Sequence, residues 1–103
     1  MSDFNYKVVF FTRPGCPACT AMKPVWAQVA REVEEEYPHY HVGFGEWDVE
    51  TDDWAFCDSV GCDGTPNFAI FSDDNSLLGV NNDGILAPSQ FKSFIISTIE
   101  KNR

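Results

Sequence analysis

Two cysteines near the start of the chain, Cys16 and Cys19, lie where an apolar, strand-like run gives way to a helical pattern. A thiol at the first position of a helix faces unpaired N–H groups and the positive end of the helix dipole, which favour a thiolate by up to ~2 kcal/mol. The second thiol, one turn further on, can attack a mixed disulfide formed by the first. The spacing therefore predicts thiol–disulfide exchange, with Cys16 attacking and Cys19 resolving.

The chain has two more cysteines, Cys57 and Cys62, which leave other interpretations open. Four thiolates could bind zinc, but a strand-to-helix turn has no role in a zinc ribbon, so we favour redox chemistry and expect no metal site. The second pair could be inert buried thiols, a second disulfide or a regulatory thiol pair. Because free cysteine is commonly buried, we favour inert thiols. His39 and His41 alternate along a predicted strand edge and are interpreted as exposed polar residues.

The hydrophobic pattern indicates strands that alternate with helices and are followed by a hairpin. A helical stripe after the first cysteine pair contains Pro24, which predicts a kink. Thr51 or Asp52 is a candidate cap for a short helix in the middle of the chain. The predicted strands cover residues 6–12, 40–48, 67–71 and 76–80, and the predicted helices cover 17–37, 51–60 and the chain from 88 onwards. This order predicts an α/β sandwich with a central mixed sheet.

Length and composition predict a single domain over residues 1–103. With 103 residues and 44% hydrophobic content, the chain can bury one core. No run approaches the ~7–15 apolar residues of a signal peptide or the ~18 of a membrane span, so we expect a cytoplasmic protein that does not enter membranes. A net charge of −9 argues against binding to nucleic acid. We expect a monomer.

Several features along nearly the whole sequence beyond about Tyr6 resemble the thioredoxin superfamily. In chain order they are the C-x-x-C, Pro24 five residues after it, Gly64-Thr65-Pro66 before an apolar strand, Gly84, and the helix start QFKSFI at 90–95. A bare C-x-x-C is a weak signal, whereas these features together and in this order are specific. The resemblance implies a thioredoxin-like three-layer sandwich, with a central mixed four-stranded sheet flanked by helices.

The resemblance also assigns roles around the active-site thiols. Pro66 corresponds to the family's cis-proline, and it would present the backbone of Thr65 for strand-like pairing with a substrate. Pro17, Ala18 and Gly84 would line the substrate groove. No cofactor need be bound, because a redox-active disulfide between the two thiols carries the electrons.

Three departures from thioredoxins stand beside these matches. Only about six residues precede the first strand, so the front end is more similar to a glutaredoxin. Phe10 replaces the family's buried acid, and Phe44 replaces its lysine partner. The general base for the second thiol is therefore unassigned. Glu46 lies on the same predicted strand face as Phe44 and is a candidate, although we favour a solvated carboxylate there.

Local charge bears on the electron donor. A glutathione user needs cations for the two carboxylates of the tripeptide, and glutaredoxins typically add a Gly-Gly turn, which residues 76–84 lack. The nearby charges are mostly acidic: Asp63, Asp73, Asp74 and Asp83, against Arg13 and Lys23. We therefore expect a reductase of disulfide-containing proteins, served by a flavoprotein similar to thioredoxin reductase. The alternatives are a glutathione-dependent glutaredoxin and a non-catalytic binding or zinc-stabilised module with this fold.

Overall fold

The computed structural model describes residues 4–103. Its elements are β1 (Tyr6–Thr12), α1 (Pro17–Glu36), a 3₁₀ helix (Pro38–Tyr40), β2 (Val42–Asp48), α2 (Trp54–Ser59), β3 (Asn67–Ser72), β4 (Leu77–Asn81) and α3 (Pro88–Lys101). Within this part of the chain, none of the helices combines the length and apolar character that crossing a bilayer requires.

The four strands form one mixed sheet in the order β2-β1-β3-β4. Strand β1 pairs parallel with β2 and antiparallel with β3, and β3 pairs antiparallel with β4. Because β1 is central and covered on both faces, its sequence is a continuous apolar run rather than an alternating one. Val8 and Phe10 point to one face of the sheet, and Phe11 points to the other.

Helices α1 and α3 cover the first face and enclose the larger core, called here the α1/α3 core. Its buried members from the sheet and the two helices include Val8, Phe10, Phe68, Ile70, Met22, Trp26, Val29, Val33, Phe91, Ile95 and Ile99. The spacing of three or four residues along both helices gives each an apolar stripe toward the sheet. Aromatic rings meet where the two helices approach the sheet, with Phe91 centred 4.6 Å from Phe68 and 5.8 Å from Trp26.

Helix α2 covers the opposite face and encloses a smaller α2 core. Its buried members are Phe11, Val49, Cys57, Val60, Cys62, Ala69 and Phe71. Phe56 packs over this core, with its ring 5.2 Å from that of Phe11. The three layers are therefore α1 with α3, the sheet, and α2, which confirms the predicted sandwich.

The segment before β2 differs from the prediction. The strand begins at Val42 rather than at residue 40, because Pro38–Tyr40 forms a 3₁₀ turn and His41 has φ +52, in the left-handed region. His39 lies in that turn, so the two histidines do not alternate along a strand edge, and this prediction was wrong. Both are exposed, as predicted.

Two helices also differ in detail. The cap of α2 is Asp53, whose side chain accepts a hydrogen bond from the Ala55 N–H at 2.8 Å. Asp52 was a predicted cap, but its carboxylate instead accepts from the Asp48 N–H at 3.1 Å. Helix α1 contains Pro24 and ends at Glu36, one residue before the predicted end, and a kink at Pro24 stays a prediction.

Candidate active site

Cys16 caps the N-terminus of α1 with its sulfur. Its backbone is extended, and its Sγ accepts a hydrogen bond from the Cys19 N–H at 3.1 Å, as the oxygen of an ordinary N-cap residue would. Pro17 follows at the first helical position, where a missing N–H costs nothing. Gly15, the residue before Cys16, has φ +73, which residues other than glycine rarely adopt. The turn between β1 and α1 thus aims the sulfur at the start of the helix.

The structure joins Cys16 and Cys19 in a disulfide whose Cα atoms are 5.2 Å apart. Cys16 is 5% exposed and Cys19 only 1%, and both belong to the α1/α3 core. Cys16 is therefore slightly more exposed than Cys19, and the order of attack and resolution stays a prediction.

Thr65, which lies 49 residues after Cys16 in the sequence, contacts this disulfide. Its hydroxyl donates a hydrogen bond to the Cys16 Sγ at 3.6 Å. The Thr65–Pro66 peptide bond is cis, and Pro66 leads directly into β3. The Cys16 sulfur consequently faces two donors, an N–H and a hydroxyl, and both favour a thiolate. The sequence pattern predicted a role for the backbone of Thr65 but gave no signal for this hydroxyl.

Asn67, just after Pro66, was also missed. It is 1% exposed, its amide donates to the Asn82 carbonyl oxygen, and Asn82 in turn donates to the Gly61 carbonyl at 3.5 Å. The loop after β4 is thereby tied to the chain on both sides of Pro66, and that loop carries Gly84 with φ +80. The only sequence signal was a polar residue at the start of an otherwise apolar strand.

The predicted groove residues occupy different environments. Pro17 is exposed beside Cys16, and Ala18 packs against the α1/α3 core. Gly84 is half-buried in the loop between β4 and α3. The structure therefore brings Thr65 into contact with Cys16, while the roles of Pro17, Ala18 and Gly84 in binding substrate stay predictions.

The position of the missing acid is filled by aromatic packing. Phe10 is fully buried, with its ring 5.2 Å from Trp26 and 5.1 Å from Phe68. Glu46 lies opposite Phe10 in the parallel pairing but is exposed, as expected of a solvated carboxylate. Among residues 4–103 no Asp or Glu is buried, so this part of the chain offers Cys19 no buried carboxylate.

The second cysteine pair, Cys57 and Cys62, is also joined by a disulfide, with 4.9 Å between its Cα atoms. The interpretation of these residues as inert free thiols was therefore wrong. This pair belongs to the α2 core, on the opposite face of the sheet from the first pair, so the four sulfurs do not form the zinc site considered above. The described chain brings no three His, Cys, Asp or Glu side chains together as metal ligands.

Comparison with solved structures identifies several similar folds. A point-mutant thioredoxin from Halobacterium salinarum NRC-1 is 21% identical with a TM-score of 0.75, over 94% of this chain and 77% of that one. A thioredoxin from Malassezia sympodialis is 21% identical with a TM-score of 0.70, over 91% and 75%. The first two thioredoxin domains of Saccharomyces cerevisiae Eps1p are 16% identical with a TM-score of 0.74, over 96% and 37%.

These identities are low enough that the likeness shows the fold alone, and the chain spans only 37% of the two-domain Eps1p structure. Comparison with curated proteins finds no match. The family model described as Thioredoxin matches residues 2–97. A thioredoxin fold that carries the Cys16–Cys19 pair supports thiol–disulfide oxidoreductase chemistry. On the strength of a match that covers nearly its whole length, the chain belongs to the thioredoxin family.

Proposed function

We propose that the protein reduces disulfide bonds in other proteins by dithiol exchange through Cys16 and Cys19. One observation carries the proposal. The Cys16 sulfur lies at the N-terminus of α1 between two hydrogen-bond donors, the Cys19 N–H and the Thr65 hydroxyl. Both donors stabilise the thiolate that must attack, and the proposal assigns the backbone of Thr65 to strand-like pairing with a substrate.

The reaction begins from the reduced dithiol. The Cys16 thiolate attacks one sulfur of the substrate disulfide, which forms a mixed disulfide and releases the other substrate sulfur as a thiolate. Cys19 then gives up its proton and attacks the Cys16 Sγ, which forms the Cys16–Cys19 disulfide and releases the first substrate sulfur. The two released sulfurs take one proton each, and two electrons pass to the substrate.

The proton of Cys19 has no buried carboxylate to accept it within residues 4–103. It passes to the substrate thiolate released in the first step or to solvent. The backbone of Thr65 pairs with the substrate during this step, and Pro17, Ala18 and Gly84 line the groove. The enzyme works as a cytoplasmic monomer without a bound cofactor.

We assign the return of electrons to a flavoprotein similar to thioredoxin reductase. The charges near the groove are mainly carboxylates, for example Asp63 and Asp83, and these would repel anionic glutathione. Arg13 and Lys23 are cations close in sequence to the first cysteine pair. These charges therefore favour a flavoprotein as electron donor over glutathione, which carries two carboxylates.

The mechanism is tested by trapping. In Cys19→Ser the resolving thiol is absent, so mixed disulfides through Cys16 should accumulate and be seen as adducts by mass spectrometry. Cys16→Ser should form none of these adducts. If Cys16→Ser still reduces insulin disulfides, another thiol carries the chemistry and the mechanism is wrong.

The donor is tested by supplying electrons in two ways to the same preparation. Turnover of insulin with NADPH and thioredoxin reductase is expected, and turnover with glutathione and glutathione reductase should be much slower. The reverse result would place the protein among the glutathione-dependent enzymes.

A further inference from the structure

The second cysteine pair is built into the end of α2 in a specific way. The Cys62 N–H bonds to the Cys57 carbonyl at 3.0 Å, and the Gly61 N–H bonds to the Asp58 carbonyl at 3.2 Å. Gly61 has φ +80. These two bonds and the left-handed glycine form a Schellman motif, which brings the third residue from the helix end next to the second residue beyond it. Those two positions are Cys57 and Cys62, so the disulfide stands where a hydrophobic contact is usual.

Because backbone hydrogen bonds already hold the two cysteines together, the disulfide can open and close without unfolding the turn. Cys57 is fully buried, whereas Cys62 is 5% exposed, the same exposure as Cys16. Of the two cysteines in this pair, Cys62 is therefore the one that a thiolate from outside would reach first. The second pair can therefore undergo thiol–disulfide exchange in addition to holding the end of α2.

The second pair is also connected to the active site through the backbone. The Cys62 Sγ lies 3.3 Å from the Gly64 carbonyl oxygen. Gly64 adjoins Thr65, whose hydroxyl contacts the Cys16 Sγ at 3.6 Å. On the other side, Asn82 bonds to the carbonyl of Gly61 at 3.5 Å. A change at Cys62 therefore acts directly on the segment that leads into cis-Pro66.

We propose that Cys57–Cys62 is a second, reversible redox site that sets how firmly the Thr65–Pro66 segment is held for a protein substrate. The proposal rests on the proposed function, because it assigns regulation to that same groove. With the disulfide closed, Cys62 is anchored to α2 and the segment is fixed. With it open, hydrogen bonds alone anchor the segment, and strand-like pairing with a substrate must first order it.

The switching reaction consumes two thiol groups, which one dithiol or two molecules of a monothiol such as glutathione can supply. With a dithiol it has two steps. One thiolate of that dithiol attacks the Cys62 Sγ, and Cys57 leaves as a thiolate that takes a proton. The second thiol of the reductant then displaces Cys62, which takes the other proton, and the reductant departs as a disulfide. Two electrons and two protons enter the pair, and oxidation by a disulfide runs the same steps backwards.

The first test isolates the second pair in Cys16→Ser/Cys19→Ser. This variant is equilibrated in glutathione buffers from reducing to oxidising, then alkylated and weighed intact. We expect only the doubly alkylated form and the unalkylated disulfide, exchanging reversibly with one midpoint inside the buffer range. A disulfide that survives the most reducing buffer would make the pair a permanent staple, and a lasting glutathione adduct on Cys62 would mean that no pair forms. Either result overturns the proposal.

The second test measures coupling on a Cys19→Ser background, in which Cys16 is the only active-site thiol. The second pair is set to its oxidised or reduced state, and the rate of mixed-disulfide formation by Cys16 is followed with insulin and with cystamine. With insulin, the oxidised state should react about threefold to tenfold faster, the size of one ordered hydrogen bond. With cystamine, which is too small to pair with Thr65, the two states should react alike.

The matched control is Cys19→Ser/Cys57→Ser/Cys62→Ser, which should give the slower insulin rate in every buffer. Equal insulin rates in both states of the second pair would overturn the coupling. A Cys16 that reacts with neither insulin nor cystamine would instead contradict the proposed function, so the two failures are distinguishable.

Discussion

The two cysteine pairs of this protein have similar backbone conformations, but different polar groups face their sulfurs. In each pair one cysteine is 5% exposed and the other is essentially buried. The more exposed cysteine follows a left-handed glycine in both cases, Gly15 with φ +73 before Cys16 and Gly61 with φ +80 before Cys62. The first pair begins α1 on one side of the sheet, and the second closes α2 on the other side.

The difference lies in the groups that face the more exposed sulfur. The Cys16 Sγ accepts from the Cys19 N–H and the Thr65 hydroxyl, so its neighbours are donors that stabilise a negative charge. The Cys62 Sγ faces the Gly64 carbonyl, an acceptor that stabilises a protonated thiol. Similar exposure therefore does not give similar chemistry, because the polarity of the nearest backbone group decides whether a sulfur serves as a nucleophile or as a switch.

The sharpest way to break this comparison is to remove each exposed sulfur in turn. Cys16→Ser should lower insulin reduction by at least about a thousandfold, because the attacking group is gone. Cys62→Ser should lower it less than about tenfold. Initial rates of insulin reduction with NADPH and thioredoxin reductase check both variants. Comparable losses of rate would show that the first pair is not the catalytic pair and the second the regulatory one.

Alkylation rates test the electrostatic part of the comparison directly. In the fully reduced protein at neutral pH, Cys16 should react with iodoacetamide at least about tenfold faster than Cys62, since only Cys16 faces donors. Peptide mapping by mass spectrometry over a time course gives both rates in one sample. Faster labelling of Cys62 would contradict the assignment of nucleophile and switch.

Gly15 and Gly61, the left-handed glycines before the more exposed cysteine of each pair, should contribute equally to the stability of the protein. Gly15→Ala and Gly61→Ala are expected to lower the free energy of unfolding by about 1–2 kcal/mol, because a Cβ disfavours positive φ even where space is open. Gly45→Ala is the matched control, since Gly45 also has open space but no positive φ. Urea unfolding measures all three. A loss in Gly45→Ala equal to the others would refute this explanation.

Sequence patterns predicted the layers and the first cysteine pair because both depend on local, repeated signals. The spacing of apolar residues along α1 predicts which face of that helix packs on the sheet. The continuous apolar run of β1 predicts a strand that is covered on both faces. Pro17 and Cys16 follow from helix-start preferences that a sequence displays directly. The end of α2 carries a local signal that the prediction did not use, because Gly61 precedes Cys62 at the spacing of a Schellman motif.

The parts that were missed depend on contacts between distant segments. The Thr65 hydroxyl reaches a sulfur 49 residues away, and the Asn67–Asn82 bond spans 15 residues. Neither has a periodic signature. The extent of β2 was missed because the turn at Pro38–Tyr40 and the left-handed His41 override the apparent continuity of the strand pattern.

The hydroxyl of Thr65 should have a moderate effect that is confined to the first pair. Thr65→Val keeps the shape of the side chain but removes the donor 3.6 Å from the Cys16 Sγ, so alkylation of Cys16 should slow by about threefold at neutral pH. Thr65→Ser retains the hydroxyl and should react nearly as the wild type does. If the valine and serine variants react alike, the hydroxyl does not stabilise the thiolate.

The smallest expected effect concerns charge on the face that carries the first pair. Lys92 on α3 bonds to Glu32 on α1 at 2.9 Å and to Glu36 at 3.1 Å, whereas the α2 side has no ion pair among residues 4–103. Hydrogen bonding to Lys92 holds the pKa of Glu32 below its ordinary value, and the bonds to Glu32 and Glu36 raise the pKa of Lys92. Both side chains are partly solvated, so the pair contributes little to stability.

The sign of the pH dependence follows from these directions. The contribution of Glu32 is present once the unfolded carboxylate is ionised, and it is lost as pH falls through the lowered pKa of the folded state. The contribution of Lys92 persists until pH rises through its raised pKa.

Lys92→Met should therefore lower the melting temperature by a few degrees at most between about pH 6 and pH 9, and by less below about pH 4. Lys101→Met is the control, because it removes a charge from α3 without breaking an ion pair, and its effect should not fade in acid. Neither variant should move the redox midpoint of Cys57–Cys62, and a midpoint that shifts only in Lys92→Met would show that the two faces of the sheet are coupled rather than independent.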